Sequence, residues 1–539
     1  MRRILIVDDD PDQLEIRQLV IRHSGHRTAI ASAADEALRI FDAGRFDTVV
    51  LDLRLPAPET GLALIRALRE RSATVRIFVL SGWPADIEQA PERAMVQEVL
   101  TKPVNSGWLL RRLALLACLA LLLASGPLRA AEAVIDLADA REVVASLELS
   151  APGTQWNRKG REGALARVTV DGKLAAHVPV FLGGTPLRQS VLLGRLSAGR
   201  HTVHVERDER SPEGVELKTG PVRLRAVSQP DPDFQMIANA PVLFGRRDDQ
   251  LFTDVPLLAY CEITAAGGRT TLEYTVIFSN EDGGTSTRAL MARWGRTTDI
   301  EYVYRVSFDQ SGRRLSGIIQ TRGHADVEFT GEREGEHPLL GVVTLNNMVA
   351  PEGRSAIRWA PVPVMADLSH ASREAVMDQA PWTYRIAAEE LEREGKLRPF
   401  GTVNGQNISD PRNYLTFEAR ILSRGARISP AVRLRDGIWQ AAHLGRADYA
   451  VERPGWARMS VEVPPGTTAG DIQEFGFACL TEPANARAPA PLAGACTVEA
   501  VGAVFLPGRD FAPGPRLWTR PLTAPVTIDS GQMVSLPWK

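Results

Sequence analysis

Apolar and polar positions follow two rhythms along this 539-residue chain, and the change falls near residue 133. In the first hundred residues, short apolar runs each end on a polar residue. Ile4-Leu5-Ile6-Val7 leads to Asp8-Asp9-Asp10, and Thr48-Val49-Val50-Leu51 leads to Asp52. Ile77-Phe78-Val79-Leu80 leads to Ser81, and Val99-Leu100-Thr101 leads to Lys102-Pro103. Unbroken apolar runs of this length suit strands buried on both faces of a parallel sheet. Ligand sites in such sheets lie at the carboxyl ends of the strands, where these polar residues fall. Asp10 before Pro11 reads as a helix cap, since proline fits a first helical turn.

A second pattern begins at residue 113. Residues 113–124 are twelve consecutive apolar residues, preceded by Arg111-Arg112 and followed by Ser125-Gly126-Pro127 and Ala131-Glu132-Ala133. A positive flank, a short apolar core, a helix breaker and an A-x-A site are the parts of a secretory signal. Twelve residues fall short of the roughly 20 that span a bilayer comfortably. Three readings stand. The segment is an internal signal-anchor, with the first domain cytoplasmic and residues after about 133 periplasmic or secreted; the arginines fit the positive-inside rule. Or it is a long fifth helix of the first domain that packs on a partner, because an all-apolar helix must be buried somewhere. Or two genes are joined, with Met95 as a downstream start. Membrane association through 113–124 or export is the expectation.

Beyond residue 133 the period shortens to two. Segments such as 166–170, 176–182, 190–193 and 199–205 alternate between Gly, Pro and Asp turns, which predicts strands. Their spacing predicts a small β-sandwich over 134–228. Gly199-Arg200-His201-Thr202-Val203 resembles the strand entry of immunoglobulin-like modules. His201 and His204 fall on opposite strand faces, so they read as ordinary strand histidines rather than a shared metal site. Pro230-Asp231-Pro232-Asp233 marks 229–240 as a linker. A large β-rich domain is predicted over 241–539, with strands at 257–264, 270–279, 301–309 and 339–346 and one helix from Thr383 to Lys396. Its last strands resemble those of jelly-roll carbohydrate-binding modules, which makes a glycan a candidate ligand.

Composition adds limits. The chain is 44% hydrophobic and 24% charged, ordinary for globular domains, and its length requires more than one. A net charge of −2 and the lack of a basic recognition helix argue against a nucleic-acid partner. Among the four cysteines, Cys479 and Cys496 flank a Pro/Ala-rich loop between strand-like segments, and a disulfide is expected there. Closing such a loop is worth roughly 3 kcal/mol. Cys118 lies in the apolar run, and Cys261 is left free and buried.

The strand-end residues carry the chemistry. Lys102 is one of six lysines among 63 basic residues and stands alone before Lys159. A lysine offers a compact point charge suited to one phosphoryl oxygen. With Asp8-Asp9-Asp10, Asp52-Leu53-Arg54-Leu55-Pro56, Gly61, Ser81-Gly82 and Lys102-Pro103 in order, residues 1–112 resemble a response-regulator receiver domain of two-component signalling. The resemblance implies an α/β, flavodoxin-like (βα)5 fold. It implies that Asp52 is the phosphoacceptor, that Asp8, Asp9 and Asp52 hold Mg2+, and that Ser81 and Lys102 contact the phosphoryl group. The implied partner is a histidine kinase or phosphotransfer protein. Val99 stands where many receivers carry an aromatic that reports phosphorylation, and Arg54 stands beside the phosphate site.

The whole chain thus reads as multidomain: a receiver over 1–112, an apolar segment over 113–133, and mostly-β sandwich-type modules. The expected function is phosphorelay, fused to exported β modules. The alternatives are a secreted β-sandwich binding protein joined to a receiver by gene fusion, and a secreted hydrolase. No serine elbow, zinc helix or phosphate loop is found, so no enzyme activity beyond phosphoryl acceptance is expected. Asp299 and Glu301 share one strand face and offer a metal pair, but salt bridges to Arg293 or Arg296 are the expected role. His324 and Asp326 are read as a surface cluster near a turn.

Overall fold

The computed structural model describes residues 3–23, 27–44, 46–72, 74–81, 85–88, 90–101, 131–247, 251–281, 283–402, 407–481, 494–518 and 520–538. Lys102, Gly82, Cys118 and the 113–124 run lie outside these residues. The chain forms two compact units, Met1–Pro127 and Leu128–Lys539.

The first unit is a five-stranded parallel sheet in the order β2-β1-β3-β4-β5. The strands are β1 (Arg3–Val7), β2 (Arg27–Ala31), β3 (Thr48–Asp52), β4 (Arg76–Ser81) and β5 (Glu98–Thr101). Helices α1 (Pro11–His23), α2 (Ala34–Ala43), α3 (Pro58–Arg71) and α4 (Ala85–Glu88) connect them. Alternate strand residues build two cores. Leu5, Val7, Val49, Leu51, Ile77 and Val79 pack with Phe41 of α2, Leu64 and Leu68 of α3 and Ile87 of α4. Ile4, Ile6, Val50, Phe78, Leu80 and Leu100 pack with Leu14 and Ile21 of α1. Both faces are covered, which is why the strands read as unbroken apolar runs. Gly61 lets α3 lie against the loop after β3: a Cβ there would meet the Leu53 carbonyl oxygen at 2.0 Å.

The second unit is mostly β. Two four-stranded sheets come first. One contains Leu187–Leu196, Arg141–Ser150, Lys218–Thr219 and Arg223–Val227; the other contains Ala131–Leu137, Gly199–Arg207, Ala164–Val170 and Lys173–Val180. A six-stranded sheet follows, ordered Ala325–Glu328, Arg314–Thr321, Asp299–Phe308, Arg269–Phe278, Pro256–Ala266 and Val364–Ala366. The last two sheets centre on Tyr414–Arg424 with Ala495–Phe505 and on Ala426–Leu434 with Ile472–Thr481.

Several elements differ from the sequence expectations. The expected linker holds a short helix, Phe234–Ala238, with Met236 and Ile237 buried. Proline and aspartate there open a turn, and the apolar residues after it dock into the core. That core runs without a break from Leu137 to Ile386, so the first two sheets share it with the next region. A second core, from Ala289 to Ile528, lies between the last two sheets. The helix Trp382–Arg393 reaches back to the first region: Trp156 Nε1 donates to Glu390 Oε2 at 3.0 Å, and Arg393 lies over the Trp156 ring. The strand expected at 339–346 spans His337–Val342.

Cys479 and Cys496 are joined by a disulfide, with Cα atoms 5.7 Å apart, and Cys261 is free and buried. Among the described residues no helix is long and apolar enough to cross a membrane.

Candidate functional site

The carboxyl edge of the parallel sheet gathers the polar residues that end its strands. Asp8 and Asp9 follow β1, Asp52 ends β3, and Ser81 ends β4. Register places Asp52 opposite Leu80 and Ser81 opposite Thr101, so these ends sit side by side. Lys102 follows Thr101 in sequence and lies outside the described residues.

One ligand oxygen each from Asp8, Asp9 and Asp52 lies within 4.8 Å of the others. Asp8 is fully buried and Asp52 nearly so, while Asp9 faces solvent. Ser81 is also buried. Three carboxylates this close repel one another unless a cation lies among them. All-oxygen donors with one solvent-facing side suit a hard divalent cation that keeps some of its water. Asp10 caps α1 through Gln13 N–H and donates its own N–H to Asp8 Oδ1 at 3.0 Å.

Two contacts carry information that the sequence did not. The Arg17 guanidinium, from the middle of α1, donates to Asp8 Oδ2, and both groups are buried. Asp8 therefore has one oxygen on a backbone amide and the other on an arginine. Arg54 donates its backbone N–H to Asp52 Oδ1 at 3.4 Å, but its side chain is held by Asp86 of α4 at 2.8 Å. The spacing of these residues along the chain gives no local cue to either pair, because each crosses from one element to another.

Comparison with known proteins agrees with this geometry. The family profile of the response regulator receiver domain matches residues 4–114. Residues 4–114 are a receiver domain. Over 105 residues the chain is 36% identical to a response regulator receiver protein of Anaeromyxobacter sp. (strain Fw109-5), covering 19% of this chain and 44% of that one. Over 102 residues it is 36% identical to the transcriptional regulatory protein PrrA of Mycobacterium tuberculosis, covering 19% and 43%. The chain thus spans less than half the length of these curated relatives. The crystal structure of the Thermotoga maritima response regulator TrrA in complex with Mg2+–BeF is 26% identical, covers 21% of this chain and 97% of that one, and has a TM-score of 0.20.

In the receiver, Val99 is half-buried and packs against the core that holds Phe41 and Leu64. In the second unit the expected arginine partners of Asp299 and Glu301 are absent. Arg296 bonds Glu374 at 2.9 Å and the Thr298 carbonyl, and Arg293 stacks on Trp294. Asp299 is instead hydrogen-bonded by Asn347, and Glu301 lies 3.8 Å from His324. Arg293 ends the helix Thr287–Trp294 and Arg296 sits on the turn before the strand, where partners other than the strand carboxylates engage them. His324 is exposed, and Asp326 pairs with Arg305 at 3.2 Å. His201 is buried on an interior strand, and Asp171 and the Ser197 carbonyl engage its two ring nitrogens.

Proposed function

We propose that the receiver accepts a phosphoryl group on Asp52 from a histidine kinase or phosphotransfer protein. The carboxylate cluster of Asp8, Asp9 and Asp52 at the sheet edge carries this reading. A carboxylate oxygen of Asp52 attacks the phosphorus of a phosphohistidine in line, and the phosphorus–nitrogen bond breaks as the new bond forms. The imidazole leaves with the electron pair. Such transfers need positioning and charge neutralisation more than covalent help from the protein. Asp9 and Asp52, with Asp8 behind them, are suited to hold Mg2+. When bound, that ion supplies positive charge opposite the phosphoryl oxygens. Ser81 donates its hydroxyl to one phosphoryl oxygen, and Lys102 pairs with another.

The test is incubation of the full chain with acetyl phosphate, read on a phosphate-affinity gel. A shifted band that needs Mg2+ and is lost in Asp52→Asn supports the proposal. Equal labelling of the Asp52→Asn chain would sink it.

A second reading concerns the rest of the chain. The Cys479–Cys496 disulfide favours an oxidising compartment for residues after about 133, since disulfides are rare in the cytosol. We infer that these β regions are exported, through the 113–124 segment, and act by binding rather than by catalysis, with a glycan as one candidate ligand. The receiver then belongs to the cytoplasmic side. Fractionation of cells carrying a carboxyl-terminal tag tests this. A full-length membrane band with its tag accessible from outside supports one anchored protein. A shorter soluble band supports a separately exported β protein. A wholly cytoplasmic full-length band with reduced Cys479 and Cys496 would refute export.

A further inference from the structure

We propose that a cleft of about 420 Å3 in the second unit, lined by Trp439, Gln440, Arg288 and Glu462, is a binding site for a neutral sugar. The proposal rests on the reading of the β regions as binding modules and gives that reading a site and a ligand class. It is independent of the receiver pocket.

The last two sheets and one helix build the cleft. Trp439–Ala441 is the edge strand of one sheet, and Gly455–Glu462 is the edge strand of the other. Residues of both edges line the cleft. In the helix Thr287–Trp294, Ala289 and Ala292 pack into the core between the sheets. Arg288, in the first turn of that helix, lines the cleft. The volume falls within the roughly 300–1,000 Å3 of small-molecule sites and has room for a short sugar rather than a folded partner.

The lining combines an aromatic platform with planar polar side chains. Trp439 is half-buried, and Arg433 of the paired strand lies 5.9 Å from its ring centroid. Phe400 and Tyr414 add apolar wall. A pyranose ring has a face of C–H groups and a rim of hydroxyls. The C–H face packs on an aromatic ring, which buries apolar surface at little entropic cost. Neighbouring hydroxyls pair with side chains that carry two polar atoms in one plane, which are Arg288, Gln440 and Glu462 here.

Charge selects a neutral ligand. Arg288 Nη2 and Glu462 Oε2 lie 3.7 Å apart, and their side chains are 14% and 15% exposed. That separation is too long for a direct hydrogen bond between them. A sugar hydroxyl can accept from the guanidinium and donate to the carboxylate at once. An acidic sugar would bring its carboxylate against Glu462, and an amino sugar would bring its ammonium against Arg288.

Two further observations point to a ligand. Glu462 Oε1 is buried and meets no hydrogen-bond donor among the described residues. A buried acceptor left in this state calls for completion by a ligand or water hydroxyl. At the rim, Leu444 holds φ +50° and is 48% exposed. A left-handed backbone is rare for a bulky apolar residue. Here it holds an apolar side chain at the mouth of the cleft, and strained backbone of this kind clusters at ligand sites.

The test applies the full chain to an array of neutral, acidic and amino-sugar oligosaccharides, then titrates the strongest neutral binder by calorimetry. One site per chain is expected. Trp439→Ala and Glu462→Gln should each weaken binding at least about tenfold, and Gln440→Ala at least about threefold. Melting temperatures show whether each variant folds. If Trp439→Ala fails to fold, Gln440→Ala, at a half-buried side chain, decides. Binding of a neutral oligosaccharide that none of the three substitutions weakens overturns the cleft and leaves the binding reading standing. Binding confined to acidic or amino sugars overturns the neutral-sugar assignment. No binding to any sugar overturns the proposal together with the glycan reading.

Discussion

Arg17 is the residue that most changes how the receiver pocket should behave. Its guanidinium bonds a carboxylate oxygen of Asp8 in a buried setting and places a fixed positive charge beside the proposed metal position. Like charges so close oppose one another. Arg17→Gln should therefore tighten Mg2+ binding by about tenfold, roughly 1.4 kcal/mol, while Arg17→Lys changes it little. Calorimetric Mg2+ titration checks this, and weaker binding in Arg17→Gln would show that Arg17 orders the pocket instead. His177 carries a second residue-scale prediction. Its Nδ1 accepts from Arg358 N–H at 3.0 Å, and its Nε2 lies 2.7 Å from Arg210 Nη2 and 3.3 Å from Asp208. Burial first, then the adjacent Arg210, pushes its pKa down to about 4. A histidine depressed in this way binds fewer protons folded than unfolded between about pH 6.5 and pH 4. The second unit should lose stability as pH falls through that window, by on the order of 2–3 kcal/mol. His177→Gln should flatten that part of the profile in a melting series, and an unchanged slope would rule out His177 as its source.

At the scale of elements, close backbone approach and chain cross-linking set the costs. Gly61→Ala places a Cβ 2.0 Å from a backbone oxygen that has nowhere to move. The α3 contact with the β3 loop must open, which should cost about 2–3 kcal/mol in the receiver's urea transition. A cost near zero would mean that α3 shifts freely. The Cys479–Cys496 bridge closes a separation of 17 residues and ties a strand of one sheet to a strand of another. Reduction, or Cys479→Ser with Cys496→Ser, should destabilise the second unit by about 3 kcal/mol. An unchanged melting temperature in dithiothreitol would contradict that. Strand and helix positions in the second unit were readable because alternation and turn residues coincide. The buried helix at Phe234–Ala238 was not, because Pro230 and Asp233 look like a linker until a neighbouring core receives Met236 and Ile237.

At the scale of the whole molecule the two compact units have different chemistry. One gathers carboxylates at a parallel-sheet edge, and the other carries a disulfide and buried arginine–carboxylate pairs such as Arg296–Glu374 and Arg458–Glu418. The shared core from Leu137 to Ile386 means that the first pair of sheets and the region after it should unfold together. Deleting residues 134–228 should therefore leave the remainder unfolded rather than shortened by one module. A retained cooperative melt in the deletion chain would show that the shared core is dispensable.

The order of apolar runs and the polar residue that closes each one determined the receiver and its acidic site, because a parallel sheet delivers every strand end to one edge. Loop spacing and composition made a Cys479–Cys496 bridge the expectation, and the packing of the two sheets that carry these strands brings the sulfurs together. Only the tertiary structure decided which partners the strand-end carboxylates take. Arg17 reaches Asp8 across the α1–sheet interface, and Arg296 turns to Glu374, 78 residues away, instead of Asp299. Those choices depend on packing between distant elements, where the nearest charge in space is not the nearest in sequence.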